Sequence, residues 1–134
     1  MKLSKKMIAV FMALLMTLSS GAITAFAITG ELKAGSNVAT KTLTPTSIAA
    51  TAKTTSNNTA EYLETIIVTK KVNKNGTQIT PDMNSSYAYN TKHSGNAGVS
   101  VGSGSTDRYK SVTSTHGAKF TGYSEVAGNL SKTF

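Results

Sequence analysis

The 134-residue sequence has no cysteine and no tryptophan, only two prolines and two histidines, and 6 acidic residues against 14 lysines and arginines. Without cysteine there can be no disulfide, thiolate metal ligand, cysteine nucleophile or lipid-modified cysteine. The length allows one domain at most, too small for an α/β-hydrolase, a TIM barrel or a Rossmann enzyme with a substrate domain. The formal net charge of +8 is spread out: no arginine cluster or lysine-rich run appears, and the concentrated positive stripe of a nucleic-acid binder is missing.

One long hydrophobic run is present, and it lies at the start. Lys2, Lys5 and Lys6 precede the apolar stretch Met7 to Leu18, and Ala25-Phe26-Ala27 supplies an A-x-A site. This is the three-part pattern of a secretory signal peptide cleaved after Ala27. A second acceptable site ends at Ala22. Anchoring in the bilayer is the rival reading, but spanning takes about 20 apolar residues, and Ser19, Ser20, Gly21 and Thr24 interrupt the run. The expected product is secreted. It meets the membrane only through its signal peptide or as a toxin's target. Export without cysteine suits a Gram-positive bacterium.

Residues 28–134 hold 19 Thr, 13 Ser, 9 Asn and 10 Gly, but only 18 Val, Ile, Leu and Phe. So few large apolar residues can signal disorder when net charge is high; here the excess in this region is only +5. Threonine, valine, isoleucine and tyrosine favour strands. The composition therefore predicts an ordered β protein with a thin core.

Residues 28–46, which contain Gly30, Gly35 and Pro45, read as a flexible N-terminal arm or one edge strand; 47–134 read as the folded domain. Thr54 to Thr59 reads as a polar loop. Glu61 to Val72 is the clearest strand. Tyr62, Ile66, Val68 and Val72 share one face; Leu63 and Ile67 share the other with Thr65, Thr69 and Lys71. Its density of β-branched residues argues against a helix. Asn75-Gly76 is a hairpin-turn signal; a two-residue loop there would set Val72 opposite Ile79. Pro81-Asp82 should end the second strand.

Shorter alternating pieces follow. Tyr87 and Tyr89 fall on one face, as do Ala97, Val99 and Val101; Tyr109 and Val112 fall on opposite faces, and Thr121-Gly122 is a plausible tight turn. The prediction is all-β: a small antiparallel β-sandwich of about seven or eight short strands, with a small barrel second.

Chemical motifs are few. Gly98 to Gly102 matches G-x-S-x-G, but Ser100 lies within an alternating strand rather than on a strand-to-helix elbow. His93 and His116 are 23 positions apart, without the spacing of a zinc site. The six carboxylates are dispersed, and glycosidic chemistry needs two held about 5–9.5 Å apart. Asn57, Asn75, Asn84 and Asn129 head N-x-S/T triplets, which a chain rich in these residues produces by composition. No catalytic residue, cofactor or metal ligand is expected. Most of the five tyrosines should serve packing. Tyr87 and Tyr89 are the best candidates for a binding platform, since a tyrosine pair on a sheet face can stack on sugars or anchor a protein.

Ser86-Tyr87, His93-Ser94 before the Ala97/Val99 strand, and Gly128 to Lys132 give the C-terminal part a resemblance to small secreted β-sandwich proteins of Gram-positive bacteria; it is weakly similar to lactococcin-type bacteriocins. The resemblance implies a signal peptide followed by a compact antiparallel sandwich and transfers no functional residue. The functional expectation is a non-enzymatic protein acting outside the cell by binding a cell-wall polymer, glycan or protein; the alternative is a bacteriocin-like peptide acting on a target cell's envelope.

Overall fold

The computed structural model describes residues 25–134; the apolar run and the signal-peptide reading that rests on it fall outside the described residues, apart from Ala25 to Ala27. The described chain is all-β and antiparallel. Its strands are β1 (Ile28–Ala34), β2 (Asn37–Pro45), β3 (Ala49–Val72), β4 (Gln78–Ile79), β5 (Met83–Ser100), β6 (Arg108–Lys119) and β7 (Val126–Thr133).

Two of these strands are long, not short. β3 has 24 residues and β5 has 18, and both run through two layers. The first part of β3 pairs with β2 on one side and with the end of β5 on the other. Its second part pairs with the start of β5 and with β6, which carries β7. One layer is therefore β1-β2-β3-β5 and the other β5-β3-β6-β7. β1 lies beside β7 across the opening, so the sandwich is nearly a barrel.

The bend explains a failed loop prediction. Thr54 to Thr59 remains extended, but the β3–β5 register shifts between Lys53 and Thr55 and again between Thr55 and Ala60. Such irregularities bend and twist a strand without ending it. Opposite them Asn90 takes a left-handed φ of 50°, a conformation asparagine tolerates better than most residues.

The segment 28–46 is likewise not a flexible arm or a single edge strand. It forms the β1–β2 hairpin, with Ala34 opposite Asn37. Gly35 has φ 61° while Ser36 stays at negative φ, the pattern of a type II′ turn.

At the β3–β4 hairpin the Asn75-Gly76 turn is present, but the loop has three residues. Asn73 N–H donates to Thr77 O, Gly76 N–H donates to Asn73 O, and only Gly76 has positive φ. This is a type I turn followed by a left-handed glycine. Val72 consequently pairs with Gln78, and Ile79 with Lys71. The expected Val72–Ile79 pairing is off by one residue, which turns these side chains to opposite faces.

Side chains from both layers meet in two apolar groups. Leu32, Ala34 and Ala39 pack with Ala60, Leu63, Ala118 and Phe120; Leu43, Ala50, Ala52 and Ala97 pack with Ile67, Tyr109 and Val112. Many of these are alanines, so the few large residues carry the core, each worth about 1.5–3 kcal/mol of burial. Tyr109 and Val112, expected on opposite faces, are both buried. The register slips at Lys110, where Lys70 pairs with Ser111 but Lys71 with Tyr109; the extra residue resets the alternation.

A hydroxyl cluster fills the centre. Thr54, Thr65, Ser94, Ser114 and His116 are all buried, and their hydrogen bonds join the two layers. At the opening, Lys41 points inward between buried Ala39 and Leu43. Its stem passes between Gly30 and Gly128, where a Cβ would come within 2.9 Å. Its Nζ donates to Asn129 O. An inward charge at such a seam opposes further strand pairing.

Candidate functional site

The outer face of the β5-β3-β6-β7 layer carries the exposed aromatic side chains that alternation predicted. Tyr87 and Tyr89 both project there, 53% and 71% exposed. The register places Tyr87 opposite Glu64 and Tyr89 opposite Tyr62. The Tyr62 and Tyr89 rings are 6.3 Å apart, tilted by 51°, within the range of favourable aromatic pairs. Along the same two strands Ile66 and Val68 follow Tyr62, and exposed Met83 sits opposite Val68.

Beyond this ridge the face drops. Continuing across the sheet, Glu64 pairs with Gly117 and Gly117 with Ala127, while Ile66 meets Thr115 and then Asn129. The result is a wall of tyrosine and aliphatic side chains beside a low floor of small and hydroxyl-bearing ones.

Two carboxylates converge on that floor. A Cβ on Gly117 would lie 3.2 Å from Glu64 Oε2 and 3.2 Å from Glu125 Oε1, so the two oxygens stand at most twice that distance apart. Glu64 stands beside the Tyr87 hydroxyl and Glu125 beside the Tyr62 hydroxyl, each close enough to raise the phenol next to it. Among the described residues neither glutamate has a lysine or arginine within ion-pair distance, whereas Glu61 is paired with Lys119 at 3.7 Å. Burial, then the neighbouring Glu125 and the other charges nearby, pushes the Tyr62 phenol up to about 12. Glu64 raises Tyr87 as well, with burial and charge adding to it. Both phenols therefore stay protonated as donors near neutral pH.

The Glu64–Glu125 separation overlaps the range used in glycosidic hydrolysis. The pair lies on an exposed sheet face and offers carboxylates to hydroxyl or amine donors, beside tyrosine rings that can stack.

The other sequence candidates lie apart from this face. His116 is buried in the hydroxyl cluster, while His93 is exposed on β5. Ser100 is the last residue of β5, paired with Ala49, not at an elbow. Tyr109 donates to Asp82 Oδ2 at 2.7 Å inside the fold, and Tyr123 stands at the β6–β7 turn against Gly35. Among the described residues no three His, Cys, Asp or Glu side chains cluster as metal ligands. Open depressions around Val72, Lys110 and Phe134 lie at one end of the sandwich and include none of the platform tyrosines.

Alternation alone found Tyr87 and Tyr89. The same period puts Glu64 on the face of Tyr62 and Ile66 but gives no sign of Glu125, which precedes β7 and reaches the platform only through the β6–β7 pairing. No family model, curated protein or solved structure matches this chain.

Proposed function

We propose that this chain is a non-enzymatic binding protein that acts outside the cell, and that the tyrosine face holds a glycan or other hydroxyl-rich envelope polymer. The observation that carries this reading is the grouping of Tyr62, Tyr87 and Tyr89 with Glu64 and Glu125 on one exposed face. Sugars present alternating apolar ring faces and hydroxyl edges. Tyrosine rings suit the former and carboxylates the latter. The low floor along β6 and β7 gives an extended polymer room to lie against the ridge. Export is supported by the basic n-region, apolar run and A-x-A site in the sequence, and the first strand begins at Ile28, directly after Ala27.

The test is retention of the purified chain on insoluble polysaccharides, including Gram-positive cell walls, peptidoglycan, chitin and cellulose. Tyr87→Ala and Tyr89→Ala should each weaken retention on the bound polymer by about 5- to 30-fold, with the far-ultraviolet circular dichroism unchanged. Equal retention of both variants would place binding elsewhere. Retention on none of the polymers, together with growth inhibition of related strains, would move the reading to the bacteriocin-like alternative.

A further inference from the structure

Four cations that the sequence disperses meet at the end of the sandwich away from the tyrosine ridge. Lys70 lies near the end of β3 and Lys74 in the turn after it, while Arg108 and Lys110 stand at the start of β6. All four are exposed. Lys74, Arg108 and Lys110 line one depression of about 440 Å³; Lys70 and Lys110 line a second of about 540 Å³. Both volumes are in the range of ligand sites. The two depressions adjoin, since Val72, Lys110 and Phe134 border each of them.

The register slip in β6 builds this end. It turns Tyr109 into the core and leaves both Lys110 and Ser111 lining the second depression, as a bulge re-aims the side chains around it. Lys70, Ser111 and Thr133 fall in one row across β3, β6 and β7. Phe134 N–H donates to Lys110 O at 2.9 Å, which ties the end of β7 to the cations.

These charges are unanswered within the fold. No aspartate or glutamate lines either depression. Among the described residues none of the four cations forms an ion pair, whereas neighbouring Lys71 is held by Asp82. Arg108 engages only Nη1, on the Ser105 and Asp107 carbonyls. Glu64 is six residues along β3 from Lys70, or about 20 Å, beyond the screening length of about 8–10 Å. Like charges gathered without a counter-charge oppose the compact state; a bound anion would relieve that.

We propose that this end of the sandwich is a second binding site, and that it takes the phosphate groups of a phosphodiester-linked polymer. Lysine ammoniums hold phosphate as point charges, and the unengaged edge of the Arg108 guanidinium suits a pair of phosphate oxygens. The Ser111 and Thr133 hydroxyls can donate to the same groups. A flexible chain with a phosphate in each unit reaches both depressions at once, which a single phosphate ion does not. Single-stranded nucleic acid is bound on rings that stack its bases, and the exposed tyrosines lie at the other end. The site shares no residue with the tyrosine face and does not depend on a glycan binding there.

Calorimetric titration of the purified chain with long-chain inorganic polyphosphate tests this. Binding should weaken steeply between about 50 and about 200 mM salt. The double variant Lys70→Gln/Lys110→Gln should lose at least tenfold in affinity. Lys53→Gln/Lys92→Gln removes the same charge from exposed lysines elsewhere and should change affinity less than threefold, and Tyr87→Ala should leave it unchanged. Polyphosphate should also raise the thermal midpoint of the parent chain but not that of Lys70→Gln/Lys110→Gln. Absence of binding overturns the proposal, as does an equal loss in the two lysine pairs, which would mean attraction by net charge alone. Tighter binding of single-stranded DNA or of phosphatidylglycerol vesicles than of polyphosphate also overturns it. Failure of the glycan reading would appear instead in the tyrosine variants and leave these results as they are.

Discussion

Thr54 and His116 are 62 positions apart in the chain, yet the threonine hydroxyl lies 2.9 Å from the imidazole Nδ1 at the centre of the sandwich. Thr54 has one hydroxyl proton, and it goes to the Glu64 carbonyl at 2.8 Å. The imidazole must then donate from Nδ1 and accept at Nε2 from Ser114, 2.7 Å away. That fixes a neutral ring in one tautomer. Burial, with the nearby Lys41 charge second, lowers its pKa to about 4.

The first prediction is acid sensitivity with a defined window. The folded pKa lies below the ordinary histidine value of 6.5, so the unfolded chain takes up a proton first as pH falls. Stability from this site is present above about pH 6.5 and is lost progressively toward about pH 4. Between about pH 7.5 and about pH 5 the loss should be about 2 kcal/mol. Urea denaturation at the two pH values measures it, and His116→Gln should flatten the difference.

Thr54→Val keeps the shape of the side chain but removes the hydroxyl that touches Glu64 O, Thr65 and His116. Buried partners are left unsatisfied, at a cost of about 1–3 kcal/mol. Thermal or urea unfolding should show the loss, with the native circular-dichroism spectrum retained. An unchanged midpoint would mean that the cluster does not hold the layers together.

Gly35→Ala should destabilise the β1–β2 hairpin by about 1–2 kcal/mol. Gly35 has φ 61°, and an added Cβ would run into the Tyr123 ring; both the left-handed backbone and the contact disfavour a side chain. Gly76→Ala shares the positive φ but meets nothing within 4 Å, so its smaller cost isolates the backbone contribution. Comparing the two unfolding midpoints separates the causes.

Asp82 holds two elements together, bonding Lys71 and Tyr109 at 2.7 Å each. Burial pushes its pKa up, but the bonds from Lys71 and Tyr109 and the Lys71 charge outweigh that and hold it below 3.8. Its stabilising contribution is therefore present above the ordinary aspartate value and disappears as pH falls through the lower folded one. Asp82→Asn should cost about 1–2 kcal/mol at neutral pH. In a Lys71→Met background the cost should shrink, as a double-mutant cycle would record.

Much of this architecture was legible in residue types. The density of threonine and β-branched residues marked an all-β chain, and the alternation from Glu61 to Val72 separated two faces correctly. Which face was buried could not be read there, because Tyr62, Ile66 and Val68 are as apolar as Leu63 and Ile67. Burial went to the face carrying Thr65 and Thr69, whose hydroxyls bond to Thr54, Ser94 and Asp82 O. The Thr54 to Thr59 run resembles a loop because its residues favour turns locally; pairing with β2 and β5 overrides that preference. The one-residue slip at Val72 arose because Asn75-Gly76 suits either a two- or a three-residue loop. Tyr87 and Tyr89 were found by period alone, whereas Glu125 reached the platform through long-range pairing that no local pattern encodes.

The continuity of β3 and β5 through both layers has a further consequence. Neither layer owns β3 or β5 alone, so neither can melt while the other survives. Loss of order at one face should travel along the same covalent backbone to the opposite one, and unfolding should be a single event seen alike by every probe. A trypsin digest below the midpoint would then release no stable half-molecule: each chain would be either intact or cut throughout.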